Sequence, residues 1–145
     1  MAEAVDTADD WPPKVRWEAV VTLLVRDYER SLRFYRDRLG LVATITAHFG
    51  TFRHIRLQVP DLPRLDVVLV HCHSPAQEAA VGRQCGDVPW LSIPVRDCNA
   101  RHRELRAQGV EFVGEVTVLP WRAQAVCLDP DGNRVALIES YSQDP

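Results

Sequence analysis

The sequence predicts an α+β protein built from two copies of one β-α-β-β-β module. The tripeptide Val25-Arg26-Asp27 recurs 70 residues later as Val95-Arg96-Asp97, and each copy follows an apolar run typical of a strand. A helical pattern follows each copy and ends at a glycine, Gly40 in the first and Gly109 in the second. Because one such repeat rarely buries its own apolar face, two modules should form a cupped mixed sheet, and a cup binds small molecules.

The first module is expected over residues 17–72, after a tail of residues 1–16 that contains four acids and Trp11-Pro12-Pro13. Its first strand is predicted over Trp17–Val25, and Asp27 is a good helix N-cap. A helical stripe follows, spaced at i, i+4, i+7 and i+11: Tyr28, Leu32, Tyr35 and Leu39. Three further strands are predicted: Leu41–Ala47, Phe52–Val59 and Leu65–Cys72.

The second module is expected over residues 90–141, after a linker over residues 73–89 with a short helix near Ala76–Val81. The order of elements repeats that of the first module. A strand is predicted over Trp90–Val95 and a helix from Cys98 to about Gln108. The remaining strands are Val110–Leu119, Ala123–Leu128 and Arg134–Ser140, the last two joined by the hairpin loop Asp129-Pro130-Asp131-Gly132-Asn133.

Composition excludes several classes of function. The net charge is −3, and no basic cluster stands apart from acids, so we expect no nucleic-acid partner. No apolar run has the length of a membrane span and the N-terminus is acidic, so we expect a cytoplasmic protein with no membrane partner. The four cysteines form no Cys-x-x-Cys pair, and Cys72 and Cys127 are predicted to be buried thiols.

Two motifs carry a resemblance to a known family. They are the run from Val25-Arg26-Asp27 through Ser31-Leu32-Arg33-Phe34-Tyr35 to Leu39-Gly40-Leu41, and the loop Asp129-Pro130-Asp131-Gly132-Asn133. With the repeated module they make the chain, over roughly Trp17–Ser140, resemble the vicinal oxygen chelate superfamily. That superfamily includes glyoxalase I, extradiol dioxygenases, fosfomycin-resistance enzymes and bleomycin-resistance proteins. The resemblance implies the fold more strongly than the function, because one scaffold hosts many chemistries.

The resemblance also implies where a metal would bind. Metal-using members carry a ligand seven residues before each capping Asp, which here gives Val20 and Trp90. A further ligand lies four residues after the glycine of the hairpin loop, at Ala136, and its counterpart in the first module falls at Val68, or at Val70 if the register slips by two. None of these side chains supplies a lone pair to a metal, so the sequence predicts the metal-free branch and no cofactor.

An apolar cup that contains an indole favours a planar, mostly hydrophobic ligand. Trp90 could stack on such a ligand or fill the core, and Trp121 could lie at the rim of the cup or at a dimer contact. His54 and Arg56 alternate with apolar residues and lie either on the concave face or on a solvated edge. The nearby pair His71 and His73 has a spacing compatible with a metal, but solvent exposure is the simpler interpretation.

We therefore interpret the chain as a metal-independent small-molecule-binding protein that sequesters a ligand or confers antibiotic self-resistance. Bleomycin-resistance-type relatives similarly lack the metal set and sequester a drug. An alternative is a metal-independent isomerase, lyase or cyclase with His54 or another histidine of the cup as general base. A metal enzyme with misregistered ligands is the third hypothesis. Relatives commonly pair modules across two chains, so we expect a homodimer.

Overall fold

The computed structural model describes residues 19–50, 52–60 and 65–141. The predicted tail over residues 1–16 lies outside this part of the chain. The chain divides into two compact units between Gln77 and Glu78. Each unit is built around one four-stranded mixed sheet, and both sheets have the same topology.

The first unit contains a β-α-β-β-β module. Its strands are β1 (Ala19–Val25), β2 (Val42–Phe49), β3 (Phe52–Gln58) and β4 (Leu65–His71). The helix between β1 and β2 begins as α1 (Tyr28–Leu32) and continues as a π-helical segment (Arg33–Arg38). The strand order is β1-β4-β3-β2, with β1 parallel to β4 and the other pairs antiparallel.

The second unit repeats this arrangement. A short helix, α2 (Pro75–Ala80), spans the boundary between the units, near the predicted position. The module itself consists of β5 (Leu91–Pro94), α3 (Cys98–Ala107), β6 (Thr117–Leu119), β7 (Arg122–Leu128) and β8 (Arg134–Ser140). The strand order β5-β8-β7-β6, with β5 parallel to β8, matches that of the first sheet, so the predicted repeat is confirmed.

Each sheet buries one of its two faces. In the first sheet the buried face carries Leu23, Val25, Ile55, Leu57, Val67 and Leu69, none more than 1% exposed. In the second it carries Leu91, Ile93, Ala123, Ala125, Cys127, Val135 and Leu137. Cys98 at the start of α3 packs with Ala123 and Ala125 in one cluster, so α3 covers this face. Because side chains alternate along a strand, the opposite face of each sheet, here called the open face, carries the intervening residues.

The first helix is wider than a regular α-helix in its second half. The N–H of Leu39 donates to the carbonyl of Phe34 at 2.9 Å, an i→i+5 bond. All four residues of the predicted stripe are buried. Phe34 is buried beside Tyr35, and the two rings pack edge to face with their centroids 4.8 Å apart. The stripe is therefore confirmed, while the π-helical turn that also buries Phe34 was not predicted.

The prediction of one strand over Val110–Leu119 is wrong for its first half. Phe112 forms an isolated bridge with Cys127, and the N–H of Val113 donates to the carbonyl of Val126 at 2.7 Å. Gly114 then has φ +78°, which turns the backbone out of the strand direction. Regular pairing with β7 resumes only at Thr117, so β6 is three residues long.

The prediction that Cys72 and Cys127 are buried thiols is confirmed. Cys72 and Cys127 are 4% and 0% exposed. The hairpin loop after β7 closes on Asp129, whose Oδ1 accepts the N–H groups of Asp131 at 2.9 Å and Asn133 at 2.8 Å. In the described part of the chain, no helix combines the length and apolar character that a membrane span requires.

Asp27 and Asp97 should contribute equally to the stability of their modules as helix N-caps. Asp27 Oδ1 accepts the N–H groups of Glu29 at 2.8 Å and Arg30 at 3.2 Å, and Asp97 Oδ1 accepts the N–H of Ala100 at 3.0 Å. We expect Asp27→Ala and Asp97→Ala each to lower the free energy of unfolding by about 1 kcal/mol, measured by urea denaturation. Asp87→Ala, in an exposed turn, is the control. Unchanged stability in both cap variants would contradict the assignment.

Candidate functional site

The open face of the first sheet combines apolar side chains with one polar group of residues. Pairing across the strands places the following described residues on this face: Val20, Thr22 and Leu24 from β1; Asp66, Val68 and Val70 from β4; His54, Arg56 and Gln58 from β3; and Val42 and Thr44 from β2. Two of the predicted site residues from the polar side of β3, His54 and Arg56, therefore share this face with Val20 and Val68.

Arg56, Gln58 and Asp66 form a hydrogen-bonded cluster on this face, here called the β3–β4 cluster. Arg56 Nη1 donates to Asp66 Oδ2 at 3.0 Å, and Gln58 Nε2 donates to Asp66 Oδ1 at 3.0 Å. Asp66 is 3% exposed, and the Arg56 side chain is 26% exposed. A buried carboxylate with both oxygens hydrogen-bonded is fixed in position, and it holds the guanidinium through a charge-assisted bond.

Asp66 was not predicted as a site residue from the sequence. The signal in the sequence is that Asp66 is the single acid in the apolar run Leu65–His71. Polar and apolar residues alternate in the strand that pairs with this run. A carboxylate in such a run needs a buried partner, and Arg56 and Gln58 provide one each.

His54 lies on the same open face and is half-buried. Burial lowers the pKa of its imidazole from the usual 6.5, and the nearby Arg56 guanidinium lowers this pKa further. Both effects disfavour the charged ring, so His54 is neutral at pH 7 and can accept a proton.

The open face of the second sheet carries different residues from that of the first sheet. Pairing places the following residues on it: Ser92 and Pro94 from β5; Arg134, Ala136 and Ile138 from β8; Arg122, Gln124, Val126 and Leu128 from β7; and Thr117 and Leu119 from β6. Trp90 directly precedes β5, and its N–H donates to the carbonyl of Arg134 at 3.0 Å. Alternation from Ser92 puts the half-buried Trp90 on this face as well.

The strand registers show which positions of the two modules correspond, among those at which the resemblance implies metal ligands. Thr22 pairs with Val68 in the first sheet, and Ser92 pairs with Ala136 in the second. Thr22 and Ser92 each lie five residues before their capping Asp, so Val68, rather than Val70, is the structural counterpart of Ala136. The same comparison makes Asp66 the counterpart of Arg134.

The positions implied for metal ligands offer no coordinating atom, since their residues are Val20, Val68, Trp90 and Ala136. Val20 is 46% exposed, Val68 and Trp90 are half-buried, and Ala136 is 3% exposed. Valine, alanine and tryptophan have no lone pair available for coordination. Among the residues that the structure describes, no three or more His, Cys, Asp or Glu side chains cluster as a metal site would require.

Trp121 lies away from Trp90. It is 51% exposed in the turn between β6 and β7, and its carbonyl accepts the N–H of Tyr141 at 3.0 Å. Since β5 and β6 are opposite edge strands of the second sheet, Trp90 lies near one edge of that sheet and Trp121 near the other.

His71 and His73 are both exposed, which agrees with the simpler interpretation of their spacing. The backbone N–H of His71 donates to the Tyr28 hydroxyl at 3.3 Å, and the two rings are 5.8 Å apart. The His73 ring contacts the His71 carbonyl at 3.1 Å. Both histidines therefore have local contacts with neighbouring residues.

A hollow of about 610 Å³ lies beside the start of α1, outside the open face. Charged and aromatic side chains line it, among them Arg26, Tyr28, Glu29, Arg53 and His71. Arg53 forms an ion pair with Glu29 and lies 6.0 Å from the centre of the Tyr28 ring. Because Arg53 and His54 are adjacent in β3, their side chains point to opposite faces of the sheet.

The buried thiols of Cys98 and Cys127 are unsuited to nucleophilic catalysis. Burial raises the pKa of the Cys127 thiol to about 12, and burial followed by Glu139 raises that of Cys98. Both thiols therefore stay protonated at neutral pH, while the nucleophile would be the thiolate. Cys85 is the exposed one.

Known proteins share this architecture. The family model for the Glyoxalase/Bleomycin resistance protein/Dioxygenase superfamily matches residues 19–137. Uncharacterized protein YurT of Bacillus subtilis (strain 168) is 27% identical over 122 residues, which cover 83% of this chain and 96% of that protein. The crystal structure of UcmS2 has a TM-score of 0.70 at 24% identity and covers 86% of this chain and 98% of its own. TnmS3, an antibiotic binding protein from Streptomyces sp. CB03234, has a TM-score of 0.69 at 23% identity, with coverages of 88% and 98%.

Replacing Arg56 should raise the pKa of His54. A neighbouring cation disfavours the protonated imidazole, so Arg56→Gln should move this pKa upward, yet leave it below 6.5 because burial has the larger effect. The measurement is an NMR pH titration of the His54 ring. Arg53→Gln is the matched control, since Arg53 points to the opposite face, and it should leave the titration unchanged. A His54 pKa that does not respond to Arg56→Gln would disprove their proximity.

Proposed function

Since the chain belongs to the glyoxalase/bleomycin resistance protein/dioxygenase superfamily, we propose that it binds a small, mostly apolar molecule without a metal. In this proposal it acts by sequestering that molecule, as an antibiotic self-resistance protein would. The fold that the chain shares with TnmS3, an antibiotic binding protein, supports a ligand of this type. The fold alone does not distinguish among the chemistries of the superfamily, so the residues of the open faces have to distinguish among them.

The observation that carries the proposal is the chemistry of Val20, Val68, Trp90 and Ala136. The resemblance implies that metal-using relatives hold their ligands at these positions, and strand pairing and alternation put all four on open sheet faces. Three are aliphatic and one is an indole, so these positions favour contact with an apolar ligand over coordination of a cation. Apolar burial would then supply most of the affinity, at about 25 cal/mol per Å².

Each open face has its own aromatic or polar residues that a planar ligand could contact. Trp90 offers an indole for stacking, which adds about 0.5–1.5 kcal/mol beyond burial for an aromatic pair. His54 and Arg56 offer hydrogen bonds that would orient polar groups of a ligand more than they would strengthen its binding. Trp121, exposed at the β6–β7 turn, is a further candidate contact.

Binding of a planar aromatic compound should be independent of metal and dependent on Trp90. We expect 2-naphthamide to quench tryptophan fluorescence equally before and after EDTA treatment, and elemental analysis to find no stoichiometric Zn, Fe, Mn or Ni. Trp90→Ala should largely abolish the quenching and weaken binding in equilibrium dialysis by about tenfold, while Trp90→Phe should retain most of it. Loss of binding with EDTA would overturn metal independence, and full affinity in Trp90→Ala would make this indole a core residue.

One observation favours an enzyme as a second candidate. His54 is half-buried and neutral at pH 7 because its pKa is lowered, which suits a general base. An isomerase, lyase or cyclase could use it to abstract a proton from an aromatic or natural-product substrate. A pH–rate profile would show activity rising through the pKa of His54 and lost in His54→Gln, whereas a sequestering protein would bind without turnover.

We also propose that the chain is a homodimer. Each four-stranded sheet ends in two edge strands, whose backbone groups can pair with another chain. Light scattering at micromolar concentration should therefore give twice the chain mass of 16.4 kDa. A mass of one chain across that concentration range would contradict the dimer.

A further inference from the structure

The open face of the first sheet contains one opposite-charge pair. Among the side chains described on this face, those charged at pH 7 are Arg56 and Asp66, joined by the 3.0 Å contact in the β3–β4 cluster. The neighbouring His54 is neutral, since burial and Arg56 both lower its pKa. The other described members of the face are aliphatic or carry a hydroxyl or an amide. These side chains therefore sum to zero charge.

The burial of Asp66 makes this neutrality a fixed property of the face. The carboxylate is 3% exposed and accepts from both Arg56 and Gln58, whereas the guanidinium side chain is 26% exposed. The Asp66 carboxylate thus lies beneath the surface, and the Arg56 guanidinium extends to the surface. A ligand on this face would meet Arg56 with its charge already compensated.

Resting on the proposed function, we propose that this face selects uncharged ligands with hydrogen-bond acceptors, and that Asp66 determines this specificity by neutralising Arg56. A carboxylate ligand would lose its hydration on binding and would gain little from a guanidinium that is already paired. It would also lie near the Asp66 carboxylate, which repels it. A carbonyl or amide oxygen loses less hydration and can still accept hydrogen bonds from polar side chains of the face.

The test compares two isosteric aromatic probes at pH 8, neutral 2-naphthamide and anionic 2-naphthoate, by equilibrium dialysis. The parent protein should bind the amide more tightly. Asp66→Asn leaves the Arg56 charge uncompensated, so the ratio of affinities should shift by about tenfold toward the naphthoate. Arg56→Gln leaves the carboxylate instead and should shift the ratio the other way. The double variant, again neutral on this face, should return the ratio to near the parent value.

A matched control separates this local effect from a change in total charge. Glu104→Gln adds the same unit of charge as Asp66→Asn, but Glu104 pairs with Arg101 on α3 and its side chain is 56% exposed. It should leave the ratio unchanged. Circular dichroism checks folding, and if Asp66→Asn is unfolded, the opposite shift in Arg56→Gln and its reversal in the double variant decide the question.

The outcomes distinguish this inference from the function on which it rests. Binding of both probes with a ratio that ignores the charge of positions 56 and 66 overturns the inference and leaves small-molecule binding intact. A parent protein that prefers the naphthoate also overturns it. Binding of neither probe by the parent overturns the proposed binding of planar aromatic molecules and the inference together.

Discussion

The burial of one face of each sheet is the constraint on which the rest of the structure depends. Because side chains alternate, burying Leu23 and Val25 in β1 commits Val20, Thr22 and Leu24 to the opposite face, and a one-residue slip would exchange the two sets. The parallel pairing of β1 with β4 then fixes which side chains lie next to one another across the strands. The chemistry of each open face is thus a consequence of packing on the other side.

Much of this architecture could be predicted from the sequence because its determinants are local. The caps Asp27 and Asp97, the glycines that end the helices and the period-two strands are all signals within a few residues. The π-helical segment Arg33–Arg38 was not predicted because the spacing of the apolar stripe in the sequence is that of an ordinary α-helix. The i→i+5 bonds have no signal of their own in that spacing. The strand predicted over Val110–Leu119 failed at Gly114, whose positive φ breaks an otherwise apolar run.

The candidate site was less predictable because its central group depends on pairing between strands. The repeat narrowed the counterpart of Ala136 to Val68 or Val70, and the pairing registers of the two sheets select Val68. Asp66 has no local motif, and its role becomes visible only when β3 places Arg56 and Gln58 beside it. The sequence did not decide whether His54 and Arg56 lie on a concave or a solvated surface. Pairing puts Arg56 beside Val68 and Asp66, and His54 lies two residues away on the same face.

The equivalence of the two sheets has a consequence for how this protein can diversify. Asp66 and Arg134 occupy matching positions yet carry opposite charges, and Val20 matches Trp90. Two copies of one plan in a single chain share their packing requirements but not their exposed chemistry, so one copy can change its open face while the other keeps its own. A comparison of the two copies therefore separates the positions that both modules bury from those at which their open faces differ.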